Sequence, residues 1–261
     1  MAEGSSFRLS CMDEAHTGSI SIVLPAFNEA ENLNRVVKEA TEILGKMLFD
    51  WEVIVVDDGS CDATFSVAQT VQATHPERIK IVRHPVNLGY GAALRSGFQA
   101  ASKSLLFFTD SDGQFSFEEL PQFVNCLRDN DMVLGERTDR RDRWHRKLNS
   151  QIGNFLARAV LGVRVRDINC AYKLFRTSLI KRLSLASDGA LINTELLAIA
   201  NRLGWSYVQV PVRHFPRTFG TPTGARLSVI ARTFVEYFAL RKRLDSAVMC
   251  APASMDGFTE S

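Results

Sequence analysis

The chain has 261 residues, with 31 basic and 29 acidic side chains and a formal net charge of +2. Its 46% hydrophobic and 23% charged residues are those of a globular protein able to bury a sizeable core, which excludes a disordered chain. The near cancellation of charge gives no sign of a nucleic-acid partner. Cys11, Cys61, Cys126, Cys170 and Cys250 are scattered without a CxxC pair, the pattern of reduced thiols in a cytoplasmic protein. No basic-then-apolar leader opens the sequence, and no apolar run approaches the roughly 20 residues of a membrane span. The expected location is therefore cytoplasmic, with any membrane contact peripheral.

Residues 1–18 are polar and read as a flexible leader. Ile20 to Leu24 is a β-branched apolar run ending at Pro25, as a buried parallel strand would be. Leu33, Val36, Val37, Ala40, Ile43, Leu44, Met47 and Leu48 then recur at helical spacing, with Asn28 as the expected N-cap. Trp51 to Val56 predicts a second strand closed by Asp57-Asp58-Gly59-Ser60. A helix follows from about Ala63 to Thr74, a third strand over Ile79–Val82, and a third helix over Gly91–Ala101. Ser104 to Thr109 predicts a fourth strand. Strands alternating with helices, each strand followed by polar residues, indicate an open α/β sheet, mostly parallel and flanked by helices, with ligands at the carboxyl ends of the strands.

The second half is less regular. It predicts a strand over Met132–Gly135, a basic loop over 140–150, a helix over Asn149–Leu161, and a strand or turn over 167–176. A helix over 193–203, a strand over Tyr207–Val212, a basic loop over 213–226 and an amphipathic helix over 227–243 complete it. The tail from Asp245 reads as flexible, leaving one domain over 19–244. The last helix combines Leu227, Ile230, Phe234, Tyr237, Phe238 and Leu240 with Arg226, Arg232, Arg241, Lys242 and Arg243. Packing on its own domain or on a second subunit is the preferred reading, ahead of a membrane interface.

The chemistry concentrates in Asp110-Ser111-Asp112-Gly113-Gln114. Two carboxylates one residue apart, just past a strand, can reach one hard cation. Mg²⁺ and Mn²⁺ take oxygen ligands of this kind, often one or two carboxylates plus substrate phosphates. A solvated acidic turn is the bland alternative. Against it, Asp57 and Asp58 end another strand and Pro25 to Glu29 a third, so three polar strand ends converge on one sheet edge. Gly89-Tyr90-Gly91 only half-matches a dinucleotide fingerprint, because Leu94 stands at the third glycine position. A glycine loop near a sugar donor explains it better. His84, His145 and His214 lack metal-ligand spacing and are read as surface or loop residues.

The motifs Leu24-Pro25-Ala26-Phe27-Asn28-Glu29, Val55-Val56-Asp57-Asp58-Gly59-Ser60 with Asp62 and Thr64, Asn87-Leu88-Gly89 with Gly91, and Asp110 to Gln114 together resemble the family-2 glycosyltransferases of GT-A fold. Within them the chain looks most like the dolichyl-phosphate and polyprenyl-phosphate mannose or glucose synthases. Asp167 to Arg176, Glu195, the Val210-Pro211-Val212-Arg213 strand, Arg217 and Gly220 extend the resemblance, which covers residues 20 to about 240. It implies that Pro25, Phe27 and Glu29 line a nucleoside pocket, with Phe27 where the family usually has Tyr. It implies that Asp58, ahead of Asp57, accepts from the base, with Gly89 beside the donor. Asp110, Asp112 and Gln114 would hold Mg²⁺ or Mn²⁺ and the sugar diphosphate, Asp112 most directly. Arg213 and Arg217 would engage phosphates, where the forked guanidinium suits the geometry.

The resemblance implies an inverting transfer of a hexose from a UDP- or GDP-sugar. A hydroxyl acceptor needs a general base, for which Asp167 and Glu195 are the candidates. A phosphate acceptor is already ionised and needs cationic clamps instead, such as Arg137, Arg140, Arg141, Arg143, Arg146, Lys147, Arg213, Arg217 and Arg226. Polyprenyl phosphate is therefore the preferred acceptor. The alternatives are a small-molecule or protein hydroxyl acceptor, and a non-catalytic nucleotide-sugar-binding protein. A homo-oligomer is left open.

Overall fold

The computed structural model describes residues 18–47, 50–138, 157–217, 219 and 237–244. The residues before 18, the basic loop 140–150, most of 218–236 and the tail from Asp245 lie outside the described residues, as do Cys11, Cys250 and His145.

Seven strands form one sheet: β1 (Ser19–Ala26), β2 (Asp50–Asp57), β3 (Ile79–Arg83), β4 (Leu105–Phe108), β5 (Met132–Arg137), β6 (Lys173–Arg176) and β7 (Tyr207–Val212). Their order is β3-β2-β1-β4-β6-β5-β7. All neighbours are parallel except β6, which runs antiparallel to both β4 and β5. The 167–176 stretch thus resolves into turns followed by a short reversed strand. β1 and β2 are buried along nearly their whole length, which is why they read as unbroken apolar runs.

The principal helices are α1 (Ala30–Lys46), α2 (Thr64–Thr74), α3 (Tyr90–Ala100), α4 (Leu120–Cys126) and α5 (Leu191–Arg202). α4, with the 3₁₀ turn Phe117–Glu119 before it, had no counterpart in the sequence reading. Leu33, Val36, Val37, Ala40 and Leu44 form the buried stripe of α1, as its periodicity predicts. Its start differs from expectation. Asn28 adopts a left-handed φ of 56° and its side chain accepts from Cys61 N at 2.9 Å, while Asp62 approaches the helix terminus with Oδ2 3.3 Å from Ala30 N. The orphan amide is met from the neighbouring loop instead of by a local cap.

Either side of β4 the core is aromatic. Phe107 meets Tyr172 edge-on at 4.6 Å, and Tyr172 meets Phe123 at 4.8 Å. On the opposite face Phe108 packs on Phe98 and stacks on Phe175. These layers hold the strand that presents Asp110 and Asp112. Residues 237–244 are helical, with Tyr237, Leu240 and Leu244 buried in the main core and Phe238 exposed. This part of the last helix packs on its own domain.

Candidate active site

The strand order changes direction between β1 and β4, so the chain leaves the two strands toward opposite faces and a crevice opens beyond their carboxyl ends. Two bonds tie the tips together: Thr109 N donates to Val23 O at 3.3 Å, and Ser111 Oγ donates to Pro25 O at 2.7 Å. Gly113, at a φ of 71°, turns the chain back after the two aspartates. Asp112 Oδ1 accepts from Gln114 N at 3.0 Å, and its Oδ2 lies 3.6 Å from Arg217 Nη1. The same guanidinium donates through Nη2 to Glu29 Oε1 and through Nε to Phe219 O. One arginine therefore spans carboxylates from two strand tips. Gln114 fastens its turn to the same segment, donating through Nε2 to Phe215 O at 3.0 Å and accepting from Phe215 N at 2.8 Å.

The cluster resists its own charge. Burial, and next the negative charge of Asp112, push the Asp110 carboxyl up to about 7, against the lowering effect of the Tyr90 phenol. The Tyr90 hydroxyl is buried without a full hydrogen bond among the described residues. Burial also raises Glu29, with Asp112 adding to it and Asn32 and Arg217 opposing. Carboxylates arranged like this favour a cation between them. Arg217 supplies one positive charge here, and a hard oxygen donor set of this type suits Mg²⁺ or Mn²⁺. Among the described residues no three His, Cys, Asp or Glu side chains form a ready metal cage. The residues fit an ion that takes its remaining ligands from a substrate's phosphates.

On the β2 side, Asp57 and Asp58 are both buried. Asp57 caps its own turn, accepting from Ser60 N at 3.0 Å. Asp58 accepts from Leu88 N and Gly89 N, each at 2.9 Å, and faces His84 Nδ1 at 2.7 Å. It thereby fixes the glycine loop. Phe27 is 37% exposed, while Pro25 is buried in β1. Beside them a cleft of about 280 Å³ lies between the N-terminal ends of α1 and α2, lined by Asn28, Glu29, Ala30, Glu31, Asn32, Asp62 and Ala63.

The carboxylates of the second half are placed differently. Asp167 is buried with both oxygens on Arg137. Glu195 is fully buried on α5, accepting from Ala186 N at 3.0 Å, from Ser187 N at 2.8 Å and from Arg243. Arg213 projects into solvent and spans Glu118 and Glu119 at 2.6 and 2.8 Å; those two bonds raise its already high pKa. The structure thus gathers Glu29, Asp112 and Arg217 at one point, sets Asp110 beside Asp112 and Tyr90, and ties Gln114 next to Asp112. It sets Asp58 and Gly89 together, and gives Asp167, Glu195 and Arg213 other partners.

The family model for glycosyl transferase family 2 matches residues 21–184, which hold the crevice and both strand tips. The chain belongs to this family.

Among its relatives, a polyprenol monophosphomannose synthase of Mycolicibacterium smegmatis is 28% identical over 87% of this chain and 89% of its own length. A dodecaprenyl-phosphate galacturonate synthase of Rhizobium johnstonii is 31% identical over 67% of this chain. An undecaprenyl-phosphate 4-deoxy-4-formamido-L-arabinose transferase of Edwardsiella ictaluri is 28% identical over 77% of it. The chain spans 53% of the Rhizobium protein and 61% of the Edwardsiella one. Among solved structures, glucosyl-3-phosphoglycerate synthase of Mycobacterium tuberculosis, in complex with Mn²⁺, UDP and phosphoglyceric acid, superposes with a TM-score of 0.68. That likeness, at 24% identity over 86% of this chain and 78% of the other, is one of fold. The family-2 chain is a glycosyltransferase of GT-A fold, and among its described residues no helix is long and apolar enough to cross a membrane.

Three residues of this family-2 site escaped the sequence reading. His84, expected as a surface or loop residue, lies in the loop after β3 but is buried between Asp58 and Ser96, with Nε2 2.9 Å from Ser96 Oγ. Lys173 is fully buried on β6 and donates to Ile168 O, Cys170 O and Asn193 Oδ1. Burial lowers it to about 8, with Asp167 and Asp110 among the charges that oppose the shift. Tyr90 stands beside Asp110. A histidine just past the end of a strand and a lysine in a strand pattern were the only local signals.

Proposed function

We propose that this chain transfers a hexose, with inversion, from a nucleoside diphosphate sugar to a polyprenyl phosphate. The observation that carries the donor half is the meeting of Glu29 and Asp112 on one cationic group, Arg217, with Asp110 pressed by the charge of Asp112, at the switch point of the sheet. Asp110 and Asp112 would hold Mg²⁺ or Mn²⁺ there. The bound ion would neutralise charge developing on the departing diphosphate. Arg217 is within reach of the same charge and can exchange a carboxylate for a phosphate oxygen without leaving the crevice. Pro25, Phe27, Glu29 and Asp58 flank the position of the nucleoside, and the glycine loop at Gly89 closes that side.

The acceptor half is supported by the relatives' names, which specify sugar transfer onto dodecaprenyl, undecaprenyl and polyprenol phosphates. It is also supported by what the candidate bases are doing. A general base needs an oxygen free to take a proton from the acceptor. Asp167 is gripped by a guanidinium, and Glu195 by two amides and an arginine. An acceptor that is already an oxyanion needs neither. Its oxygen attacks the anomeric carbon as the bond to the diphosphate oxygen breaks on the opposite face, and no proton has to move.

The test is to incubate the purified chain with polyprenyl phosphate in detergent micelles, Mn²⁺ or Mg²⁺, and a panel of UDP- and GDP-sugars. Mass spectrometry of the lipid fraction should show one sugar phosphate lipid. Transfer to soluble hydroxyl acceptors with none to the lipid would replace the acceptor proposed here. Donor binding without turnover on any acceptor would point to a non-catalytic binding protein.

A further inference from the structure

Glu195 has both carboxylate oxygens engaged inside the protein, and its partners come from two separate segments of the chain. One is Arg243, in the helical residues 237–244 near the end of the described chain. The others are the amides of Ala186 and Ser187. The peptide just beyond those amides presses on the glycine loop. Gly91 N donates to Asp188 O at 2.6 Å. A Cβ on Gly89 would lie 2.5 Å from Asp188 O, and one on Gly91 would lie 2.8 Å from the Asp188 carbonyl carbon, so both glycines are required by this contact. Arg95 of α3 clamps the same peptide, donating to Ser187 O and, at 2.5 Å, to Asp188 Oδ1. The far side of the glycine loop is held by Asp58 through Leu88 N and Gly89 N.

We infer that Arg243, Glu195 and Arg95 are positioning residues for the donor, acting through the 186–188 peptide to set the glycine loop against Asp58. The inference rests on the donor reading above. Each link has few alternatives. Glu195 is fully buried, so losing Arg243 leaves its charge without its cationic partner, and the carboxylate must shift or take a proton. Either change weakens its hold on the 186 and 187 amides. The 186–188 peptide has no room to relax inward, because the glycine loop is in direct contact, so it must relax away from it. The loop then loses the acceptor for Gly91 N and its restraint opposite Asp58. Donor affinity falls because ordering the loop becomes a cost of binding. Chemistry at the anomeric carbon, which depends on Asp110, Asp112 and Arg217, is affected less.

Hydrogen exchange on the donor-free protein and nucleotide titration test this together. Arg243→Ala should speed exchange of the Leu88, Gly89 and Gly91 amides about tenfold or more, a loss of local protection of roughly 1.4 kcal/mol. It should also raise Kd for UDP or GDP in the presence of Mn²⁺ by about fivefold or more, with kcat at saturating donor changing less than Kd. Arg243→Lys should recover part of both effects. Arg95→Ala, which strikes the same peptide from α3, should reproduce them and carries the test if Arg243→Ala does not fold. Faster exchange at 186–187 with none at 88–91 would overturn the relay. Faster exchange at 88–91 with unchanged nucleotide Kd would overturn its role in donor binding. Should the wild-type chain bind no nucleotide, the donor reading fails and the positioning role with it, while exchange alone still decides the mechanical link.

Discussion

Arg137 grips Asp167 with two parallel bonds, Nε to Oδ2 at 2.7 Å and Nη2 to Oδ1 at 2.8 Å, and both side chains are almost removed from solvent. The pair joins the end of β5 to the turn before β6. A buried ion pair is hard on the fold when one partner is removed, since the other is left charged and desolvated. Asp167→Asn should therefore cost on the order of 3 kcal/mol in urea denaturation. Replacing both residues by apolar ones, Asp167→Leu with Arg137→Met, should recover much of that loss. A full-stability Asp167→Asn protein with a displaced pH–rate profile would return Asp167 to the role of general base.

Glu52 offers a pH test on the opposite edge of the sheet. Its carboxylate is buried, which by itself would raise its pKa, yet Lys80, Ser21 and Ser102 lower it to about 2. The folded value lies below the ordinary 4.5, so the stabilisation is fully present above about pH 4.5 and is lost as pH falls toward 2. At pH 7 it amounts to no more than about 3 kcal/mol, less whatever solvent screens from the half-exposed Lys80. Glu52→Gln should lower the urea midpoint at pH 7. Its deficit relative to wild type should shrink between pH 4.5 and pH 3. A deficit that stays constant over this range would mean that the carboxylate charge contributes nothing.

Two glycine-to-alanine changes in helices should behave differently. Gly45 lies in α1 with nothing within 4 Å of the point an added Cβ would occupy, so Gly45→Ala should stabilise by up to about 1 kcal/mol and leave nucleotide binding unchanged. Gly91 also lies in a helix, but its Cβ would meet the Ser187 and Asp188 backbone. Gly91→Ala should weaken nucleotide binding despite the better helix propensity. Equal behaviour of the two variants would show that the contact of the glycine loop with 187–188 has no bearing on the donor.

Arg217 stands between Glu29 and Asp112 as a cation belonging to the chain itself. Arg217→Met should remove a competitor for the carboxylates and tighten binding of Mn²⁺ alone, by about 1 kcal/mol or roughly fivefold in Kd. It should simultaneously reduce turnover, because the diphosphate loses a donor. Electron paramagnetic resonance titration of free Mn²⁺ reads the first effect directly. Weaker Mn²⁺ binding in the variant would mean that Arg217 supports the carboxylates instead of competing for them.

Much of the architecture was legible because its signals are local. Ile20–Leu24 and Trp51–Val56 are apolar throughout since both faces of their strands are buried, and α1 carries its stripe at helical spacing. The convergence of strand tips followed from α/β alternation alone. The parts that were not legible depend on partners far along the chain. The reversed β6 is four residues long and begins with a buried lysine, whose satisfaction requires carbonyls at 168 and 170 and an amide on α5. His84 reads as a surface or loop residue until Asp58 and Ser96 are brought to its two nitrogens. Asp167 and Glu195 look like bases by residue type, and only Arg137, Arg243 and the 186–187 amides show where their lone pairs go.

The central claim is that Asp110 and Asp112 hold a divalent ion and, through it, the diphosphate of the donor. Calorimetric titration of UDP and GDP into the wild type and the double variant Asp110→Ala/Asp112→Ala, with and without Mn²⁺, addresses it most directly. The wild type should bind one nucleotide far more tightly with Mn²⁺ than without it, and the double variant should keep its fold and lose that dependence. Undiminished, Mn²⁺-dependent nucleotide binding by the double variant would contradict the claim.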